Sequence, residues 1–353
     1  MENNNFNNRV DSYQPYGYRQ ENNTSEYYEK QREKKNDKRI LKTIGALCGF
    51  SIVVYFVMST LIGLLVAFLY SKTSLNIDFV YEQGLGSWAF SSIATVLFIG
   101  LPFLATYMVL RKKKITGILP LGTTYNTKAS TYLVVAFLPL TLLSTFLINF
   151  ISLMLQSFMG VDFTSGMEDM SVASVKDFLF MTLFIAIIPA ILEEFAIRGV
   201  LLQPLRRFGD GFAIVVSAVI FSLLHGNMVQ IPYTVIAGIY FGYVMVATGS
   251  LWPSIILHFL NNFYSVLITA FDSNFSVGTA NTLTLLTLGL MTVAGIFAFN
   301  KYRSMNYKVN LAKGVNSLKT TEKVTAVFVN IPMIIAVILM VVTTLTSISE
   351  SQV

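Results

Sequence analysis

Apolar residues fall in long blocks along this chain, separated by short polar segments. Runs long enough to cross about 30 Å of hydrocarbon lie near 44–70, 88–110, 131–156, 177–198, 211–226, 229–248, 251–271, 281–299 and 324–346. They predict an all-α, polytopic transmembrane bundle of about nine spans. The fifth run is the shortest and least secure, and prolines at 102, 139, 189, 232, 253 and 332 mark places where a helix loses a backbone donor and kinks. Residues 1–43 show neither strand nor helix periodicity and predict a disordered tail. The tail ends in seven basic residues within thirteen positions, Lys30 to Lys42, which reads as a topology anchor for anionic headgroups.

The polar connections alternate in charge: Arg111-Lys112-Lys113-Lys114, then Asp162, Glu168 and Asp169, then Arg206-Arg207, then Asp272, then Lys301, Arg303, Lys308 and Lys313. That alternation predicts a multi-pass protein of the cell membrane with its N-terminus cytoplasmic and its C-terminus outside. Composition agrees, since 54% of the 353 residues are hydrophobic and 12% charged, against about 25% charged in soluble domains. The net charge of +6 sits between spans, where it orients the chain, so nucleic acid is not an expected partner; the lipid bilayer is. The single cysteine, Cys48, lies in the first span and offers neither a disulfide nor a thiolate metal site. The apolar run from residue 44 is far longer than the h-region of a cleaved signal peptide.

Within this apolar background, ionisable residues need a reason, because each costs roughly 2.5–3.5 kcal/mol at bilayer depth. Glu193, Glu194 and Arg198 stand together in the fourth run. At about 100° per residue Glu194 and Arg198 share a face and Glu193 points elsewhere, so the second glutamate pairs the arginine and the first is left for a polar cavity. The only two histidines lie in later runs, His225 one turn after Phe221 and His258 one turn before Asn262. If Phe208-Gly209-Asp210-Gly211 is a helical hairpin turn, Glu193 and His225 each lie about 24 Å from it and are level. His258, roughly 9–13 Å inside its own helix, joins them only if the Arg206-Arg207 hairpin projects some 10 Å beyond the bilayer.

These residues resemble a known family. Glu193-Glu194 with Arg198 looks like an EExxxR motif, Phe221 with His225 like FxxxH, and His258 with Asn262 like HxxxN, in the order found in the CAAX prenyl protease and bacteriocin-processing (CPBP, or Abi) intramembrane proteases, which include the type II CAAX endopeptidases. The likeness covers 177–271 as a protease core of helices 4–7, flanked by a tail (1–43), helices 1–3 (44–176) and helices 8–9 (272–353). It implies peptide-bond hydrolysis within the membrane. A carboxylate in an apolar setting suits a general base, so Glu193 with His225 would draw a proton from water. His258 and Asn262 would donate to the oxyanion, while Glu194, Arg198 and Phe221 hold the frame.

Two readings of the chemistry stay open. One is a metal-free glutamate mechanism with no cofactor; in the other Glu193, His225 and His258 ligate zinc, although no HExxH helix is present. Three functional classes also stand: an endopeptidase for a membrane-embedded or lipid-associated peptide, prenylated or bacteriocin-like; an inactive scaffold or bacteriocin self-immunity protein; and a proton-coupled transporter, against which the lack of an internal repeat argues.

Overall fold

A computed structural model describes residues 16–72, 85–159, 161–162, 171–315, 317–346 and 349–350. In chain order its helices are α1 (Tyr16–Lys72), α2 (Gly86–Lys112), α3 (Thr127–Met159), α4 (Val175–Phe208), α5 (Asp210–Leu223), α6 (Gln230–Thr248), α7 (Leu251–Asn274), α8 (Val277–Ser304), α9 (Thr320–Phe328) and α10 (Ile331–Thr346). The one strand pairing among the described residues is a two-residue contact of Val161–Asp162 with Ser349–Glu350. The fold is an all-α multi-pass membrane bundle.

Seven of these helices are long and apolar enough to cross a membrane singly, and α9 with α10 makes an eighth as a pair bent by 80°. Two runs differ from the nine spans expected, and both for local reasons. The run at 211–226 yields only the 14 residues of α5, about 21 Å, because Gly226 adopts φ +59° and Asn227 starts the next helix by accepting from Val229 and Gln230 N–H. The run at 324–346 breaks before Pro332, where the Asn330 side chain accepts from Met333 N–H and caps α10.

The expected disordered tail also shrinks. Residues 1–15 lie outside the described residues, and from Tyr16 the chain is already helix. Its basic stretch has partners at one end of the bundle: Lys34 and Lys38 pair with Glu322 at 3.0 and 2.9 Å, and buried Asp37 takes Arg207 at 2.9 Å and the Ser317 hydroxyl at 2.6 Å. Ion pairing to later segments gives these polar residues an order that their own periodicity does not. Of the acidic connection expected between the third and fourth spans, Glu168 and Asp169 lie outside the described residues.

Three stretches of α2 and α4 widen to π-helix: Val96–Gly100, Thr182–Ile187 and Phe195–Leu202. Each ends two residues before a proline, Pro102, Pro189 and Pro204. A proline cannot donate to the carbonyl one turn back, and widening the turn is one way for a helix to absorb that mismatch. The main core joins α1, α4, α5 and α10 through Ile44, Ile52, Leu201, Phe208, Ile220 and Met340. A second joins α3, α6, α7 and α8, and a third closes the far ends of α2, α4 and α7 around Trp88, Met181 and Val266.

Candidate active site

The acidic residues sit on α4 between two π segments, where the helix turns both carboxylates inward. Glu194 and Arg198 are fully buried and joined at 2.8 Å. Arg198 also donates from Nη2 to the Gly238 carbonyl of α6 at 3.1 Å, and its guanidinium carbon lies 4.5 Å from the Phe221 ring centre and 5.3 Å from that of Phe241. Buried cations survive by such pairing and by aromatic faces.

Glu194 does more than neutralise the arginine. Its Oε1 accepts from His258 Nδ1–H at 3.0 Å, and its Oε2 accepts from the Ser254 hydroxyl, which lies one turn before His258 on α7 and also contacts the Phe241 carbonyl. Phe241 stacks on the His258 ring at 4.9 Å with a 24° tilt, and Phe221 meets it edge-on at 5.7 Å. The imidazole is thereby fixed in plane and tautomer: Nδ1 carries the hydrogen, and Nε2 points at Glu193, 3.8 Å from Oε2.

His225 stands just past the end of α5, in the turn closed by Gly226, rather than on a helix. Its Nδ1–H donates to the Phe221 carbonyl at 3.0 Å and its ring meets Phe221 edge-on at 4.9 Å, so its Nε2 too is the free nitrogen. His225 and Glu193 line one cavity of about 220 Å³ together with Tyr55 of α1, Ile99 of α2, Ala196, Ile197, Phe221 and Leu224. α7 continues sixteen residues beyond His258 to Asn274, about 24 Å, so the turn carrying His225 lies well inside the bundle.

Glu193, His225 and His258 therefore come together at one depth. The turn between α4 and α5 is tied to later segments: Asp210 N–H donates to the Ala312 carbonyl, Val315 N–H to that of Arg207, and Lys323 to that of Phe208. Asn262 is placed differently. Its amide reaches the Ile185 carbonyl of α4 at 3.5 Å and is not part of the cavity wall. Sequence reasoning missed Ser254 and Tyr55. Ser254 shares the one-turn spacing of His258 and Asn262 but is an ordinary helix residue by type, and nothing local marks Tyr55.

Among the described residues no group of three His, Cys, Asp or Glu is arranged to hold a metal ion. Two carboxylates, Glu193 and Glu194, lie near one guanidinium, and Glu194 is the one paired to it.

Residues 175–264 match the family model described as type II CAAX prenyl endopeptidase, Rce1-like. Over this stretch the chain is similar to the CAAX proteases. The Rce1-like stretch contains every motif residue, from Glu193 to Asn262, and supports an intramembrane protease of the CAAX type. No curated protein and no solved structure matches the chain.

Proposed function

We propose that the protein is an intramembrane endopeptidase that hydrolyses a peptide bond of a membrane-embedded or lipid-associated peptide. The observation that carries this reading is the placement of Glu193 in a cavity shared with His225 and 3.8 Å from the free nitrogen of His258, whose other nitrogen is tied to buried Glu194. When His258 takes up a proton at its free Nε2, Glu193 is an ionised base beside an N–H donor. Water held between Glu193 and the His225 Nε2 loses a proton to Glu193 as its oxygen bonds to the scissile carbonyl carbon. The carbonyl oxygen becomes an oxyanion and accepts from His258 Nε2–H. On collapse the C–N bond breaks, and Glu193 returns its proton to the leaving amine.

Glu194 and Ser254 act through His258 by holding its orientation. Asn262 has one amide hydrogen at Ile185 and a second left for the substrate. In this reading the end of the bundle that gathers Lys34, Lys38, Arg207 and Lys323 is cytoplasmic, and the chain leaves α10 on the opposite side. The mechanism needs no metal, so cleavage persists in strong chelator; stoichiometric zinc whose removal abolishes cleavage would contradict that.

The test compares membrane peptides from cells carrying the native chain with those from a Glu193→Gln strain. A defined set of cleavage products disappears in the variant although the protein accumulates normally. An unchanged set would point to the scaffold or self-immunity reading instead.

A further inference from the structure

The matched core accounts for α4 to α7, yet the wall of the Glu193 cavity includes a residue from the first helix, far outside it. Tyr55 lies near the middle of the apolar run of α1, where a phenol without a partner is expensive. One turn earlier Ser51 is satisfied, facing Thr106 Oγ1 at 2.8 Å and the Pro102 carbonyl at 3.1 Å. Half-buried Tyr55 instead borders the cavity, and no hydrogen bond joins its hydroxyl to any described residue.

The donor inventory of that cavity makes the point sharper. Its polar side chains are Tyr55, Glu193 and His225. An ionised carboxylate only accepts, and the neutral His225 ring has already given its one N–H to the Phe221 carbonyl. Tyr55 is therefore the cavity-lining side chain with a donor still uncommitted. A peptide carbonyl placed for attack beside Glu193 needs donors at its oxygen, and His258, 3.8 Å from Glu193, supplies one when its Nε2 is protonated.

We propose that Tyr55 donates its phenolic O–H to the carbonyl oxygen of the scissile bond and strengthens that bond as the oxyanion forms, so that α1 completes the catalytic site. The proposal rests on the endopeptidase reading above. It assigns to the first helix a chemical role in addition to its packing against α9 and α10.

The test adds a Tyr55→Phe strain to the native and Glu193→Gln pair, with the peptides that vanish in Glu193→Gln serving to identify the substrate. A synthetic peptide spanning one of those cleavage sites is then given to each purified protein in vesicles. Tyr55→Phe lowers kcat by about 10²-fold, the usual effect of removing one oxyanion donor, with KM within about threefold of native and an unchanged melting temperature. Incorporating 3-fluorotyrosine at position 55 keeps the hydroxyl and restores most of kcat, which a purely packing role of the ring does not predict. If Glu193→Gln abolishes the products while Tyr55→Phe cleaves at the native rate, the Tyr55 assignment is overturned and the endopeptidase reading stands. If Glu193→Gln changes nothing, both fall together.

Discussion

At the scale of single residues, Glu194 is heavily committed, since it meets Arg198, His258 and Ser254 at once. Arg198→Met strands that carboxylate in the interior and should cost about 3–5 kcal/mol of stability, seen as a lower melting temperature in detergent. Replacing the pair together, Glu194→Leu with Arg198→Met, should recover much of that stability but not cleavage, because His258 loses the group that fixes its tautomer. Ser254→Ala is milder, losing one hydrogen bond to a charged group, roughly 1.5–3 kcal/mol. Charged side chains in an apolar run stand out, which is why Glu193, Glu194, Arg198 and both histidines could be read without coordinates. A serine in a membrane helix is commonplace, and Ser254 therefore gave no comparable signal. Tyr55 was beyond reach altogether, because its place in the cavity depends on how α1 lies against α2 and α4.

At the scale of elements, two glycines four apart on α1 make a close helix contact. A Cβ on Gly45 would stand 2.2 Å from the Val327 carbonyl oxygen, and one on Gly49 2.6 Å from the Met333 backbone. Small residues at this spacing let membrane helices approach backbone to backbone, which here seats α1 on both halves of the bent α9–α10 pair. Gly49→Val should therefore overpack the joint and lower stability by roughly 1–3 kcal/mol, measurable as a shift in melting temperature, while the same change at Gly63, which faces open space, should not. The spans themselves were legible from apolar length alone. The bend at Asn330 and the early end of α5 at Gly226 were not, since a window of hydropathy averages over the cap and turn residues that decide them. The same averaging hid the three π segments, although the prolines that follow them were visible.

At the scale of the whole molecule, parts distant in sequence close one end of the bundle. Asp37 joins the amphiphilic start of α1 to Arg207 in the α4–α5 turn and to Ser317 before α9. Glu193 lies sixteen residues before Gly209 of that turn, about 24 Å along the helix, so the closure braces α4 at a distance from the site. Asp37→Ala should speed tryptic cleavage at Lys34, Lys35, Lys38 and Arg39, and raising the salt concentration should narrow the gap from native, as expected for charge pairs near a surface. Periodicity within residues 1–43 could not show this, because their order comes from partners some 170 to 280 positions later.

The account as a whole depends on water being activated by Glu193 inside the bundle. The most direct measurement is cleavage of the identified peptide by the reconstituted protein in ¹⁸O-water, read by mass spectrometry at the newly formed carboxyl group. The native chain should place one ¹⁸O there and Glu193→Gln should form essentially no product. Labelled product from Glu193→Gln at the native rate, with the fold intact, would contradict the account.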